Sequence, residues 1–162
     1  MFKLNEKKYK NTILYLSKNT GSGRIWGKKK MYKLLYYLDF DFFEKYEKPV
    51  TGDIYHKLPM GPAPSYFDVI ATELEKEGKL EIGKGRTGAG YNDAVIYKAL
   101  EEPDAKAFTK TEKEMLDRVI KLYGDKSGSQ LETLTHKEAP YLAVDEGEEM
   151  PLELAHYRGT QF

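Results

Sequence analysis

The residues of this 162-residue chain that could support metal or acid–base chemistry are few. There is no cysteine, which excludes disulfides, thiolate nucleophiles and thiolate zinc sites. His136 and Glu138 are two positions apart, so a helix would place them on different faces, which matches no usual zinc-ligand spacing. A three-histidine site would need His56, His136 and His156 to converge from distant segments. We therefore expect no metal, and a hydrolase that uses His56, His136 and Glu138 is the least favoured alternative.

Serine and glycine patterns do not favour catalysis either. Ser22 lies in the turn-rich stretch 21–23, without the strand that precedes a nucleophile elbow. Residues 85–90 (GRTGAG) are rich in glycine, but a Walker A loop needs Gly-Lys-Ser/Thr at the start of a helix. A strand is predicted to follow here instead. The stretch is interpreted as a hairpin tip, and no cofactor and no catalytic residue is expected.

A basic stretch interleaved with aromatic side chains indicates nucleic-acid binding. It comprises Lys28, Lys29, Lys30 and Lys33, with Trp26, Tyr32 and Tyr36. A hairpin with Lys84 and Arg86 follows a helix, as the wing does in winged-helix modules. However, the pI near 6.8 is low for a dedicated DNA binder. A DNA- or RNA-binding regulator is kept as the alternative function, and nucleic acid is not the expected partner.

Charge is balanced overall but uneven along the chain. Residues 1–48 carry 12 basic and 5 acidic side chains, and residues 100–162 carry 8 and 14. The asymmetry indicates either a surface that steers a charged partner or two ends that fold together and cancel. No apolar run reaches 18 residues, and the first residues form no apolar leader, so we expect a cytoplasmic protein without a membrane partner.

Apolar periodicity predicts a mainly α (α+β) fold: a compact helical domain of about five to six helices with a small antiparallel hairpin or sheet. Predicted helices span residues 5–18, 26–46, 65–77, 109–123 and 127–136, with one or two helical turns over 151–158. Strands are predicted at 79–83 and 94–100, joined by a loop over 84–93, with a short strand at 54–56. Capping boxes are expected at Thr109 with Glu112 and at Ser127 with Gln130, and Ser65 is the expected N-cap of the third helix.

Three blocks of sequence resemble a known family. They are residues 33–39 (KLLYYLD), 51–67 (TGDIYHKLPMGPAPSYF) and 131–141 (LETLTHKEAPY). Their order and spacing resemble the Panacea domain, also called the SocA-like antitoxin domain, of phage-associated proteins and bacterial toxin–antitoxin operons. The likeness implies one domain over residues 1–162. It also implies a protein without catalytic activity that binds and neutralises a cognate protein toxin, with delivery to an ATP-dependent protease as a family possibility.

Two sets of residues are expected to carry these roles, one from the blocks alone and one from the blocks and the tip of the predicted hairpin. The family-motif residues are expected to act as scaffold: Gly61, Pro62, Pro64, Thr135, His136, Glu138 and Pro140. Thr135, His136 and Glu138 are expected to hydrogen-bond the turn at Gly61–Pro64, with Pro140 ending the helix. Rigid aromatic side chains with a cationic rim are typical of binding hot spots. The expected partner-binding residues, taken as exposed, are Tyr36, Tyr37, Tyr55, Lys57, Tyr66 and Arg86.

Overall fold

The computed structural model describes residues 2–86 and 93–159, apart from the side chains of Arg86 and Asp93. The helices are α1 (Glu6–Asn19), α2 (Lys28–Tyr46), α3 (Phe67–Lys76), α4 (Lys110–Tyr123), α5 (Gly128–Thr135) and α6 (Ala139–Leu142), with 3-10 segments at Ala105–Ala107 and Leu152–Tyr157. The strands are β1 (Ile25–Trp26), β2 (Tyr55–Leu58), β3 (Gly61–Pro64), β4 (Leu80–Arg86) and β5 (Asp93–Ala99). The predicted mainly helical α+β class is confirmed.

Helix α2 is the centre of the fold. Every residue from 33 to 43 is buried, because α4, α5, β3 and the 3-10 segment Leu152–Tyr157 all pack around it. The sequence pattern predicts only an apolar stripe. The structure shows a helix enclosed on all sides, as is typical of a core helix.

Helix α1 packs against α3, α4 and β5. It begins where Asn5 accepts a hydrogen bond from the backbone N–H of Lys8, at 3.0 Å. The predicted helix over residues 5–18 is confirmed to within one residue at each end.

A three-stranded antiparallel sheet has the order β1-β5-β4. The prediction that Trp26 begins the second helix is wrong, because Trp26 belongs to strand β1. The backbone N–H of Gly27 donates to the carbonyl of Val95 instead, so α2 begins at Lys28. Lys84 and Gly85 pair with β5 and extend the strand into the predicted loop, whose residues 87–92 lie outside the described residues.

Strands β2 and β3 form a separate antiparallel hairpin, where only a short strand at 54–56 was expected. Pro62 and Pro64 lie in β3, which pairs with β2 alone, and an edge strand tolerates residues that lack an N–H. The tight turn at residues 59–60 brings the chain back onto α2.

The predicted helix ends are partly confirmed. The capping boxes Thr109–Glu112 and Ser127–Gln130 are both present. Ser65 is not an N-cap, because its hydroxyl donates to the carbonyl of Ile54 and α3 begins at Phe67. Pro140 does not end α5, which already ends at Thr135. It lies in the first turn of α6, a helix that the sequence did not predict.

The two oppositely charged ends of the chain meet in the fold. Lys8 pairs with Glu112 at 2.8 Å, Lys29 pairs with Glu132 at 2.7 Å, and Lys18 pairs with Glu102. These contacts therefore cancel part of the asymmetry along the sequence. Among the described helices, none combines the length and the apolar character needed to cross a membrane.

Candidate partner-binding site

The three sequence blocks converge where α2, the β2–β3 hairpin and α5 meet. The amine of Lys33, on α2, donates to the carbonyl of Pro62 at 3.3 Å. Gly61 has φ of +114°, and a Cβ there would lie 2.5 Å from Cε of Lys33 and 3.1 Å from Oγ1 of Thr135. Each block thus contributes one residue to a single close contact, which requires glycine at position 61.

Glu138 makes a second connection between the blocks. Its carboxylate accepts hydrogen bonds from the hydroxyls of Tyr36 at 2.7 Å and Tyr37 at 2.8 Å. Burial and the Glu138 charge together raise the pKa of both phenols well above 10, so they act as neutral donors. Glu138 therefore ties α6 to α2 rather than to the hairpin turn.

Tyr141 makes a third connection, between α6 and the hairpin. Its hydroxyl donates to the carbonyl of Leu58 at 2.9 Å. The amine of Lys57 lies 4.3 Å from the ring centroid, a cation–π distance, and the His136 ring stacks on Tyr141 at 4.3 Å. The Thr135 hydroxyl donates to the backbone carbonyl of Glu132 within its own helix, and His136 stacks on Tyr141, so these two residues meet the expectation by packing rather than by hydrogen bonds to the turn.

The expectation that Tyr36, Tyr37 and Tyr55 are exposed is wrong. Tyr36 and Tyr37 are fully buried, because α2 has no outward face at its centre. Tyr55 is 1% exposed, and its hydroxyl donates to Asp39 at 2.7 Å. Tyr66 is exposed and Lys57 is half-buried, so contact with a partner stays a prediction for these two. The side chain of Arg86 lies outside the described residues.

Two buried aspartates hold the segment between α2 and the hairpin. Asp39 accepts hydrogen bonds from the backbone N–H groups of Val50 and Thr51, both at 2.8 Å. Asp53 accepts from the hydroxyl of Tyr9 at 2.5 Å. Burial raises the pKa of Asp39 to about 6, although the donors around it oppose the shift. Sequence reasoning missed both residues; an aspartate within the buried face of a helix was the available signal at Asp39.

A buried ion network near the end of the chain was also missed. The side chain of Arg158 is fully buried and contacts Asp41 at 2.6 Å, Glu44 at 3.2 Å and Glu138 at 3.6 Å. Arg118 contacts the second oxygen of Asp41 at 3.1 Å. Burial raises the pKa of Asp41 to about 6 against the opposing effect of Arg158. Spacing in the sequence gives no signal for this network, since Arg158 lies 117 residues from Asp41 and Arg118 lies 77 residues from it.

The basic stretch that suggested nucleic-acid binding is largely engaged by the protein itself. Lys28 pairs with Asp68 at 3.2 Å, and Lys29 pairs with Glu132. The amine of Lys30 donates to the carbonyl of Gly124 at 2.7 Å, and Lys33 is 2% exposed. Each of these four lysines therefore has an acceptor within the protein.

The three histidines are found in unrelated settings. The Nδ1 atom of His56 lies 2.8 Å from the hydroxyl of Ser65, and His156 contacts Glu47 at 3.0 Å. His136 stacks on Tyr141. Within residues 2–86 and 93–159, no three histidine or acidic side chains come together as a possible metal site.

A groove opens beside the point where the blocks converge. It lies between the first turns of α2 and the β2–β3 hairpin and has a volume of about 380 Å³. We name it the α2–hairpin groove. Its walls include Lys28, Lys29, Tyr32, Lys33, Leu58 and Met60. The volume is in the range of small binding pockets, and the walls consist mainly of apolar atoms and lysine stems.

Comparison with known proteins gives one match. Among curated proteins and among solved structures, none matches the chain significantly. Residues 31–141 match the family described as Antitoxin SocA-like, Panacea domain. This segment covers more than half of the chain and contains all three sequence blocks, with the contacts that join them. The chain therefore belongs to the family of SocA-like antitoxins with the Panacea domain.

Proposed function

We propose that this protein is the antitoxin of a toxin–antitoxin pair and neutralises its cognate protein toxin by binding it directly. The observation that carries the proposal is the family match over residues 31–141. The family implies a toxin as partner. Direct binding is the simplest way in which a single protein could neutralise that toxin.

The carboxylates of Asp39 and Glu138 in the motif blocks have structural roles and give no support for catalysis. Asp39 and Glu138 are each engaged by hydroxyl or amide donors of the protein itself. Catalytic carboxylates and amines have to reach a substrate, usually in a cleft. The proposal therefore contains no chemical step.

The proposal is tested by co-expression with the product of the neighbouring gene. Expression of that gene alone is expected to stop growth, and co-expression with this protein is expected to restore it. A tagged form of this protein should retain the toxin through purification. If the neighbouring product is toxic but is neither rescued nor retained, the proposal fails.

A second measurement separates direct neutralisation from delivery to an ATP-dependent protease. After synthesis is stopped, the toxin level is followed by immunoblot with and without this protein. Direct neutralisation predicts a stable toxin in a stable complex. Accelerated loss of the toxin that requires the protease would show that the protein acts as an adaptor instead.

A further inference from the structure

The α2–hairpin groove combines exposed apolar side chains with a constrained shape. Met60 is 61% exposed and Leu58 is 42% exposed, although both are apolar. Exposed apolar side chains that border a concave surface are typical of binding sites, and methionine adapts to varied partners. The hairpin that carries them is held in place by Tyr141 and by the Lys33–Gly61 contact. A groove with fixed walls loses little conformational entropy when a ligand binds.

Charge in the groove has one sign. Among the described residues that line it, three are lysines and none is acidic. Lys28 and Lys29 each have a carboxylate nearby, from Asp68 and Glu132. No carboxylate of the described residues lies within ion-pair distance of the Lys33 amine, whose hydrogen-bond acceptor is the carbonyl of Pro62. Glu132 also attracts the Lys33 charge from a longer distance, so the three lysines of the groove share two carboxylates and one positive charge is in excess.

The Lys33 amine contributes to this excess charge because it is protonated at neutral pH. Burial lowers its pKa to about 8, so the amine is still mostly protonated at pH 7. A carboxylate that approached from the groove would offset part of the cost of burying this charge. The exposed pair of Lys28 with Asp68 contributes little to stability, so Lys28 can exchange its carboxylate for one from a ligand.

We infer that the α2–hairpin groove binds an apolar segment of a protein partner, and that this segment carries a carboxylate which meets the lysine side of the groove. Apolar side chains of the segment would cover Leu58 and Met60. The identity of that partner as the toxin rests on the proposed function, whereas the chemistry of the segment rests on the groove alone.

The inference is tested with a matched pair of variants on the wild-type chain. Met60→Glu places a carboxylate at the groove, and Leu142→Glu places one on α6, where the native side chain is equally exposed at 64%. We expect Met60→Glu to weaken binding of the purified toxin by about tenfold or more, measured by calorimetry, and Leu142→Glu to leave the affinity unchanged. Equal effects of the two variants, or an effect of Leu142→Glu alone, would overturn the inference while leaving the proposed function in place.

The charge component has its own pair of variants. Lys28→Gln is expected to weaken binding and to reduce its dependence on salt, because one attraction to the carboxylate is lost. Lys110→Gln changes a lysine that is 91% exposed on α4 and serves as the control. If both variants bind as the wild type does, the ligand carries no carboxylate at this position and the inference is wrong.

A third experiment does not depend on the toxin. A display library of random 12-residue peptides is selected on the wild-type protein, and the selected peptides are then tested on the Met60→Glu variant. We expect apolar peptides with Asp or Glu that lose binding to the variant. The inference would be overturned if the selected peptides were basic, if they bound the Met60→Glu variant as well as the wild type, or if no peptide were selected. Binding of single-stranded DNA that Met60→Glu abolishes would also overturn it.

Discussion

At residue 61 the backbone adopts φ of +114°, and the space that a side chain would need is occupied by Lys33. Gly78 provides a comparison, because it has φ of +72° but open space around its Cα. Replacement of Gly78 by alanine costs backbone strain alone, about 1–2 kcal/mol. At Gly61 the collision with Cε and Nζ of Lys33 is added to that strain.

We therefore expect Gly61→Ala to lower the free energy of unfolding by about 1–3 kcal/mol more than Gly78→Ala, as measured by urea denaturation. Adding Lys33→Ala to Gly61→Ala removes the atoms that collide. The double-mutant cycle should show a favourable coupling of about 1 kcal/mol or more. Additive effects would mean that the two residues do not constrain each other.

Lys33 also gives the protein a pH dependence of defined sign. Its pKa is about 8 in the folded protein and near 10.5 when the chain is unfolded, because burial disfavours the charged amine. Between these values the unfolded chain binds more protons than the folded one, so stability rises with pH. Below pH 8 the amine is charged in both states, and the full cost of burying it is present.

From pH 8 to pH 9.5 this group should add about 1–2 kcal/mol to the free energy of unfolding. Lys33→Met is expected to remove that increase, and Lys110→Met, at an exposed position, is expected to keep it. Urea denaturation at several pH values measures the difference. Parallel curves for the wild type and Lys33→Met would contradict the assignment.

At the scale of elements, the β2–β3 hairpin depends on α6 for its position. The Tyr141 hydroxyl donates to the carbonyl of Leu58, next to the turn, while its ring contacts Lys57 and His136. Tyr141→Phe keeps the ring and removes the donor. We expect a loss of about 1 kcal/mol in stability and faster amide hydrogen exchange in the hairpin.

Tyr157→Phe, at a position that is 74% exposed, is the control and should change neither quantity. Because the same hairpin forms one wall of the α2–hairpin groove, Tyr141→Phe should also weaken partner binding slightly. Unchanged exchange at residues 55–64 would mean that the hairpin is held instead by its packing on α2 and by its backbone hydrogen bonds to residues 147–150.

At the scale of the whole molecule, Arg158 connects the end of the described chain to its centre. Its guanidinium contacts Asp41 and Glu44 on α2 and Glu138 just before α6, and its side chain is fully buried. Removing one partner of a buried ion network leaves the opposite charges without compensation. The family match ends at residue 141, but this contact shows that the segment after it packs on the same core.

Arg158→Met should lower the free energy of unfolding by about 3–5 kcal/mol. Arg158→Lys keeps the charge but loses the fork geometry of the guanidinium, so we expect an intermediate decrease in the free energy of unfolding. This variant can be measured even if Arg158→Met does not fold. Lys110→Met is the control, with a change of less than about 0.5 kcal/mol. A loss below about 1 kcal/mol for Arg158→Met would show that the network is not needed for stability.

The sequence by itself determined the class of fold, most helix positions and the family. These depend on local information: the apolar period of α4, the capping residues Thr109 and Ser127, and the order of the three blocks. Helix α6 and strand β1 escaped prediction because they are short, and short elements are defined by their neighbours rather than by a period of their own.

Only the tertiary structure decided which motif residues are buried and which surface is open to a partner. Periodicity predicts one apolar stripe on α2, but the sequence of a helix does not determine how many other elements pack around it. For this reason Tyr36 and Tyr37 are core residues that bind Glu138, and Arg158 is a buried ion-pair partner. The groove between α2 and the hairpin exists because contacts between residues far apart in sequence hold its two walls at a fixed separation.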